Sequence, residues 1–347
     1  DAMATTIWGT SSSWTLTALP LFVWMGEILF RTKLSENLFA GLSPWMQKLP
    51  GGLIHVNVVG CALFAAISGS SAATVATVGK MSIPELRKRK YPEKILLGSL
   101  AGSGTLGLLI PPSIILIIYG VTVQESIAKL FIAGIIPGIM IALIFMSYVI
   151  IWSLINKKSM PKYVENFSFL EKIRKSKQLL PVIILISAVI GSIYTGVATA
   201  TEAASLGVVG ALILSYFQKS LTIETFKQSL LGATKTSCMI AFILAGSTFL
   251  SLAMGFTGLP RNLAIWIQNM ELSPYVLIFV LMIFYIILGM FLDGISAVVL
   301  TMAIIEPMIR QAGFDMIWFG IFLVIVVEMA QITPPVGFNL FVLQGMA

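Results

Sequence analysis

Long apolar runs alternate with short polar clusters along this chain. Residues 95–124, 130–156, 178–201, 236–260 and 272–292 contain no Asp, Glu, Lys or Arg. Each run exceeds the roughly 20 residues that cross a bilayer as an α-helix. The pattern shows no alternation typical of strands, and open sheet edges cannot lie in lipid. The sequence therefore predicts an all-α polytopic membrane protein.

Composition and charge placement refine this prediction. Hydrophobic residues make up 57% of the chain and charged residues 11%, whereas soluble domains carry about 25% charged residues. Apart from Lys129, Arg261 and Arg310, the basic residues fall in four clusters: 31–48, 80–94, 157–177 and 219–235. Cytoplasmic loops collect Lys and Arg, so all four clusters are predicted to be cytoplasmic. The net charge of +7 therefore reflects membrane topology, and no nucleic-acid partner is expected.

A small-residue segment, "SGSS" at 68–71, ends the apolar run 51–67. Gly and Ser weaken helices and favour turns. Because the chain starts this run at the cytoplasmic face and is basic again at 87–90, it must turn back within the membrane. We predict a re-entrant helical hairpin over 51–84, with its tip lining a cavity or buried in protein. One kinked spanning helix is the alternative, and it would place 87–90 outside.

A second hairpin is predicted over 274–310, where "LDGIS" at 292–296 breaks the run. Two further helices are interrupted at Pro-Pro: one over 95–120, by "GSGTLGLLIPPS", and one over 316–345, by "QITPPVG". Proline removes a helical hydrogen bond and clashes with the preceding turn. The second half of the chain thus repeats the order of the first.

The repeat also appears in the residues. With a shift of 225 positions, Gly69 falls on Gly294, Ser71 on Ser296 and Ser68 on Asp293. The identities are few and could arise by chance, so the shared order of elements is the stronger argument. The charge pattern opens one hairpin inside and the other outside. This predicts an inverted-topology repeat, a common plan in secondary transporters.

The remaining segments are predicted to surround the two repeats. Helices are expected at 14–30, 131–153, 179–195, 197–217 and 236–254, a cytoplasmic linker at 156–178, and amphipathic helices on the cytoplasmic surface at 34–48 and on the outer surface at 258–271. The chain begins in mid-pattern without Met, so further N-terminal residues are expected.

Broken helices place free carbonyls and helix ends near the membrane midplane. Hard cations prefer oxygen ligands, so we predict two sodium sites, one in each repeat. The candidate ligands are Ser68, Gly69, Ser70, Ser103, Gly104 and Gly107 in the first repeat, and Asp293, Gly294, Ser296, Gln331, Thr333 and Pro334 in the second. The positive helix starts at the tips suit a carboxylate substrate. Its candidate contacts are Ser71, Pro112, Ser113, Pro335 and Asn339.

Asp293 is the most informative of these residues, because an acid at mid-depth costs about 2.5–3.5 kcal/mol on insertion scales. It could cap the helix that follows, ligate a cation, or do both. Glu202 is expected to cap or pack at a helix start. Glu27, Glu306 and Glu328 lie in or near apolar runs, and each is expected to have a partner or a wet cavity.

An intramembrane serine protease is one rival function, suggested by "SGSS". It needs a general base near the serine, and the only histidine, His55, precedes Ser68 by a distance of roughly 20 Å along a helix. A passive channel is another rival. The single histidine and the two isolated cysteines are too few to form a zinc site. No enzymatic activity is expected.

Several segments, taken together, resemble those of one protein family. They are "FAAISGSSAATVATVGKMSIPELRKRKYP", "GLLIPPSIILIIYGV", "LFIAGIIPGIM", "TEAAS", "GMFLDG" and "ITPPVGFNLFV". They resemble the large membrane subunit of tripartite ATP-independent periplasmic (TRAP) transporters over essentially the whole chain. The family's usual Pro before "TEA" is Ala200 here. Members usually have about two more helices before this start and one after this end.

The resemblance implies sodium-driven uptake of an organic acid, such as a C4-dicarboxylate, a 2-keto acid or sialic acid, through the bacterial inner membrane by an elevator motion. It also implies a small four-helix membrane subunit and a periplasmic substrate-binding protein as partners. A stand-alone sodium/dicarboxylate symporter is the alternative. In an elevator, residues 1–50 and 131–255 would form a scaffold, while 51–130 and 256–347 would contain the halves of a moving transport domain.

Overall fold

The computed structural model describes residues 2–31, 34–161, 167–177, 179–258, 262–263, 265 and 273–346. These residues are helical or lie in turns and loops, and no β-strand occurs among them. Five helical segments are long and apolar enough to span a membrane, or up to seven if each of two bent helix pairs counts as one span. The predicted all-α polytopic membrane fold is confirmed.

The helices follow each other along the chain as α1 Ala2–Ser11, α2 Ala18–Phe30, α3 Leu34–Met46, α4 Ile54–Ser68, α5 Ser71–Lys88, α6 Glu93–Gly104, α7 Leu106–Leu109, α8 Ile114–Val123, α9 Ile127–Ile155, α10 Phe169–Ser176, α11 Leu180–Tyr194, α12 Ala200–Phe217, α13 Ile223–Thr257, α14 Pro274–Gly289, α15 Gly294–Gln311, α16 Met316–Gln331 and α17 Phe338–Gln344. Short 3-10 turns lie at Trp14–Thr17 and Lys157–Ser159.

Both predicted hairpins are present. The first consists of α4 and α5, which pack against each other and are separated only by Gly69 and Ser70. Gly69 has φ +59°, a left-handed conformation that glycine adopts at little cost. The second consists of α14 and α15, with the break at 290–293. In each case small or polar residues end one helix and a side-chain oxygen caps the next.

The two Pro-Pro segments break helices as predicted. Pro111-Pro112 separates α7 from α8, and Pro334-Pro335 separates α16 from α17; both bonds are cis. We call α4–α8 the first repeat and α14–α17 the second repeat. The same order of hairpin, helix, Pro-Pro segment and helix therefore occurs twice.

The two repeats interlock into one body. Helix α8 of the first repeat packs on α15 and α16, while α17 of the second repeat packs on α5 and α6. The Tyr119 hydroxyl, fully buried, donates to the Met316 carbonyl at 2.7 Å. This body is apolar inside, with Phe64, Leu116 and Phe319 among its buried side chains.

A second group of helices lies beside this body. Helix α2 packs on α12 and α13, α1 packs on α13, and α11 packs on α12. Helix α13 is longer than the predicted span 236–254, because Thr222 caps it by accepting the Thr225 amide at 3.1 Å. Lys227 and Lys235, which the sequence places in a basic cluster before this helix, therefore lie within it. The first four residues of the predicted helix 14–30 form a 3-10 turn instead.

Helices α9 and α3 connect the two groups. Helix α9 packs along α4, α6, α7, α8 and α16 of the repeats and contacts α11 of the second group; α3 packs on α4 and α5 of the first repeat and on α10, and contacts α2 of the second group. In the predicted linker 156–178, residues 162–166 and 178 lie outside the described residues. Most of the predicted outer amphipathic helix 258–271 lies outside them as well. The assignment of segments to a scaffold and a transport domain stays a prediction.

Candidate functional site

A cavity of about 640 Å³ lies where the two hairpin tips meet α2 and α13. The first tip contributes Ser68, Gly69, Ser70 and Ser71, and the second contributes Asp293, Gly294 and Ile295, with Gln331 beside them. The opposite wall consists of residues from α2, α13 and α17: Val23, Gly26, Glu27, Phe30, Thr236, Met239, Phe338 and Val342. Predicted site residues from both repeats therefore face one cavity.

The first tip is a compact cluster of oxygens. The Ser68 and Thr74 hydroxyls are 2.8 Å apart. The Thr74 hydroxyl donates to the Ser70 carbonyl at 2.8 Å, and Ser68 approaches the same carbonyl at 3.2 Å. The Ser70 hydroxyl accepts the Ala73 amide and caps α5. This arrangement brings neutral oxygen atoms together at the start of a helix.

The Pro-Pro segment of the first repeat supports this tip closely. The Ile114 amide donates to the Gly69 carbonyl at 3.3 Å. A Cβ atom on Gly69 would lie 2.6 Å from the Pro112 carbonyl oxygen, and one on Gly107 would lie 2.5 Å from the Ser70 carbonyl oxygen. Both glycines are therefore required for the backbone segments to approach each other.

Asp293 organises the second tip. Its Oδ2 accepts the amides of Ile295 at 3.1 Å and Ser296 at 3.2 Å, and its Oδ1 accepts the Ser296 hydroxyl. The expected cap of α15 is confirmed. The carboxylate also lines the cavity, so a cation ligand and a cap can be the same group. The Pro-Pro segment supports this tip too, because the Val336 amide donates to the Met290 carbonyl at 3.3 Å.

One side-chain hydrogen bond joins the two repeats at the cavity. The Ser71 hydroxyl donates to Gln331 Oε1 at 2.7 Å, and both residues are buried. The Gln331 amide lies directly over Gly294, where a Cβ atom would be 2.7 Å from Nε2. The first tip, the second tip and the end of α16 are thus in contact.

Other predicted site residues lie behind the cavity wall. Ser103 is buried, and its hydroxyl donates to the Ser99 carbonyl at 2.5 Å and approaches the Asn57 carbonyl at 3.4 Å. Gly104 packs against Val75. Ser113 caps α8 by accepting the Leu116 amide at 3.3 Å.

In the second repeat, the Thr333 hydroxyl donates to the Met329 carbonyl at 2.7 Å, and Pro334 and Pro335 are exposed. Asn339 is fully buried, and neither polar atom of its side chain has a partner within the described residues. Asn339 does not line the cavity, so the structure does not bring it together with the predicted residues of the tips.

Sequence reasoning missed Thr74 and Thr236. Thr74 lies one helical turn after Ser70, so its hydroxyl reaches the Ser70 carbonyl at the tip. The spacing of four residues from the capping Ser70 could have predicted this contact. Thr236 comes from the distant α13, and nothing in the local sequence marked it.

Glu27, Glu306 and Glu328 have the partners expected for acids in apolar runs, and Glu202 has its expected place at a helix start. Glu27 lines the cavity and pairs with Arg31 at 3.0 Å, and Glu306 pairs with Arg310 at 2.9 Å. Glu202 caps α12, because its carboxylate accepts the Thr199 amide at 2.8 Å. Glu328 is buried; the backbone of Leu108 and Leu109 hydrogen-bonds its carboxyl group, whereas its Oε1 has no partner within the described residues.

The donor set of the cavity fits a hard monovalent cation. Hydroxyls, carbonyls and two carboxylates line it, that of Asp293 at the second tip and that of Glu27, which is paired with Arg31; oxygen atoms are the ligands that hard cations prefer. No group of three His, Cys, Asp or Glu side chains that could hold a metal occurs in the described part of the chain. His55 Nε2 lies 2.8 Å from the Pro50 carbonyl, at the opposite end of α4 from the serines of the tip.

Comparisons with known proteins agree with this architecture. The family model for the DctM component of the tripartite ATP-independent periplasmic transporter matches residues 1–347. The C4-dicarboxylate TRAP transporter large permease protein of Pseudomonas aeruginosa is 33% identical over 98% of this chain and 79% of its own length. The 2,3-diketo-L-gulonate TRAP large permease of Escherichia coli is 32% identical over 99% of this chain and 81% of its own.

A solved structure shares the fold. The crystal structure of the Alcanivorax borkumensis YdaH transporter, 12% identical, superposes with a TM-score of 0.65 over 99% of this chain and 80% of that one. The sequence relatives carry the family assignment, since they are similar over nearly the whole chain. The chain belongs to the DctM component family of the tripartite ATP-independent periplasmic transporters, as a large membrane subunit.

Proposed function

We propose that this subunit carries out sodium-coupled secondary uptake of a small organic acid. The single observation that supports this most is the meeting of both hairpin tips at one cavity that contains the Asp293 carboxylate. Tips from two repeats provide two sets of oxygens, one neutral and one with a negative charge. The helix starts at Ser71 and Gly294 direct positive dipole character toward the same space. Cations at the tips and a carboxylate between them would then neutralise each other.

The names of the relatives support the substrate class. They include permeases for C4-dicarboxylates, for 2,3-diketo-L-gulonate and, in Vibrio cholerae, for sialic acid. The shared chemical feature of these compounds is a carboxylate group. We therefore propose a carboxylate substrate that contacts Ser71, which lines the cavity; contacts with Pro112, Ser113, Pro335 and Asn339, which do not line it, stay predictions from the sequence.

An elevator motion is the proposed mechanism. The interlocked repeats would move as one transport domain against a scaffold that contains α1, α2, α11, α12 and α13. The surface between them suits sliding where α2 meets the first tip, because Gly26 faces backbone atoms there. A Cβ atom on Gly26 would lie 3.2 Å from the Ile67 carbonyl oxygen and 3.2 Å from Ser68 Cα. Few side chains would need to rearrange for the tip to pass.

The proposed setting is the bacterial inner membrane, with the basic loops in the cytoplasm. A small four-helix membrane subunit would complete the scaffold, and a periplasmic binding protein would deliver the substrate. Membership in a tripartite family supports these partners. It also argues against the stand-alone symporter that the sequence left open.

Uptake into proteoliposomes tests the function. The large and small subunits are reconstituted together, and uptake of labelled acids is measured with binding protein, with and without a sodium gradient. Accumulation of a carboxylate that requires both the gradient and the binding protein is expected. Equal uptake without sodium would contradict the coupling, and equal uptake without binding protein would favour the stand-alone symporter.

A further inference from the structure

A second polar cavity, of about 560 Å³, lies far from the hairpin tips along α4. It is bordered by the loop between α3 and α4, by Tyr91 after α5, and by the last turn of α9 and the residues that follow it. Its lining includes Lys48, Pro50, Gly51, Tyr91, Ser153 and Lys157.

The charge of this lining is positive. Lys48 comes from the α3–α4 loop and Lys157 from the turn after α9, and no acid occurs among the described residues that line the cavity. Two lysines from separate elements therefore line the same cavity. Lysine ammonium groups bind phosphate as point charges.

The walls of the cavity are held by specific contacts. The Tyr91 hydroxyl accepts the Leu53 amide at 3.0 Å, and His55 Nε2 lies 2.8 Å from the Pro50 carbonyl. A Cβ atom on Gly51 would meet Val149 Cγ1 at 2.6 Å and Ser153 Oγ at 3.0 Å. The loop thus lies tightly against the end of α9 and keeps a defined shape.

Ser153 provides an independent sign of a ligand. It is 4% exposed, it lines the cavity, and its hydroxyl has no hydrogen-bond partner among the described residues. A buried hydroxyl without a partner is destabilising, because it has lost its hydrogen bonds to water. An acceptor oxygen in the cavity would satisfy it.

An exposed apolar stripe on α9 leads to the cavity. Tyr148, Ile151 and Leu154 are 58%, 58% and 47% exposed, and Ile155 follows them at 77%. Their spacing of three and four residues places them along one side of the helix. A stripe of this kind suits acyl chains and not a water-soluble anion.

We infer that this cavity binds the headgroup of an anionic phospholipid, with its acyl chains along the exposed stripe of α9. Basic pockets between membrane helices recognise such headgroups. The phosphodiester would lie between Lys48 and Lys157 and accept from Ser153. Bound there, the lipid would join the α3–α4 loop, which leads into the first hairpin, to the end of α9.

Native mass spectrometry of the detergent-solubilised full chain with its small subunit tests the inference. The complex is titrated with dioleoyl phosphatidylglycerol, with dioleoyl phosphatidylcholine, and with inorganic phosphate as competitor. We expect one tight phosphatidylglycerol adduct, weaker phosphatidylcholine binding, and no competition by millimolar phosphate. Competition by phosphate would show a free-anion site and overturn the lipid assignment.

Variants locate the adduct. Because each basic residue near an anionic surface contributes about 1 kcal/mol, Lys48→Gln and Lys157→Gln should each weaken binding about fivefold, and the double variant about 30-fold. Both side chains are exposed, so folding should be retained. The control is the double variant Lys219→Gln, Lys227→Gln, which removes the same number of positive charges from two other exposed lysines. It should bind phosphatidylglycerol as tightly as the wild type does. Two results would overturn the proposed site: equal loss of lipid affinity in the two double variants, or no loss in the Lys48→Gln, Lys157→Gln variant.

A stability measurement gives a second result that does not depend on transport. Phosphatidylglycerol should raise the melting temperature of the wild type and of the control pair, but not that of the Lys48→Gln, Lys157→Gln variant. Ser153→Ala should weaken the adduct without changing its preference for anionic lipid. An unchanged lipid-dependent rise in the lysine double variant would contradict the site.

Discussion

Ser71 and Gln331, 260 positions apart, are joined by a 2.7 Å hydrogen bond at the cavity. Ser71 begins the return helix of the first hairpin, and Gln331 ends α16 of the second repeat. The bond therefore connects the two halves of the body that holds the candidate ion and substrate positions. In a moving transport domain it would keep the two tips in register.

Ser71→Ala should destabilise the protein by roughly 1–3 kcal/mol, because it leaves the buried Gln331 oxygen without a partner. Unfolding in mixed micelles measures the effect. Ser205→Ala is the control, since among the described residues that hydroxyl bonds to the Thr201 carbonyl of its own helix and to no other repeat or helix. If both variants lose equal stability, the bond between the repeats has no special contribution.

The Asp293→Asn variant should fold normally. Its sodium-dependent uptake should be lost or should need a much higher sodium concentration. Asn caps helices about as well as Asp, so α15 should still start at Gly294, but the negative charge at the tip is lost. Uptake is measured against sodium concentration, and melting temperature in parallel. Asp293→Ala should additionally lose about 1 kcal/mol of stability. Wild-type sodium dependence in the Asn variant would leave Asp293 with a capping role alone.

Gly69→Ala should disrupt the first tip. The substitution places a Cβ atom 2.6 Å from the Pro112 carbonyl and imposes φ +59° on an L-residue. We expect lower stability and loss of uptake. Gly246→Ala is the control, because its Cβ would meet nothing within 4 Å in α13, and Ala favours a helix over Gly by up to about 1 kcal/mol. Wild-type uptake by Gly69→Ala would show that the tip tolerates a different backbone.

Arg31→Gln should raise the KM for a dicarboxylate more than it changes the maximal rate. Arg31 pairs with Glu27 at 3.0 Å and bonds to Gln228 at 2.9 Å. Without Arg31, Glu27 would face the cavity as an unpaired anion and repel the substrate. The double variant Arg31→Gln, Glu27→Gln should recover the wild-type KM. Failure of this recovery would assign Arg31 a role other than neutralising Glu27.

A cysteine pair tests the elevator. In a Cys61→Ala, Cys238→Ala background, Gly26→Cys on α2 and Ser68→Cys at the first tip should crosslink, since a Cβ on Gly26 lies 3.2 Å from Ser68 Cα. The crosslink should form in one transport state and not in the other; its formation on a gel is the measurement and not uptake, because Ser68 is itself a candidate sodium ligand. Equal crosslinking under inward-favouring and outward-favouring conditions would contradict a moving body.

The sequence by itself determined the class, the helices and their breaks. Lipid requires long uncharged runs, and glycine, serine and proline end helices through local backbone effects, so the tip at Gly69 and the break at Pro111-Pro112 could be predicted from neighbouring residues alone. The cap by Asp293 was predictable for the same reason. The repeat was visible because both halves carry these local signals in the same order.

Only the tertiary structure decided which parts share a cavity. Ser71 meets Gln331 and Gly26 meets Ser68 because helices distant in the chain pack together, and packing depends on side chains from several elements at once. The positions of Glu27 and Thr236 at the cavity follow from how α2 and α13 lie beside the tips. Conversely, Ser103 matched the pattern of a ligand, yet its hydroxyl bonds back to the Ser99 carbonyl. The local sequence determines where a helix breaks, but the direction in which a side chain points depends on the residues that surround it in the folded structure.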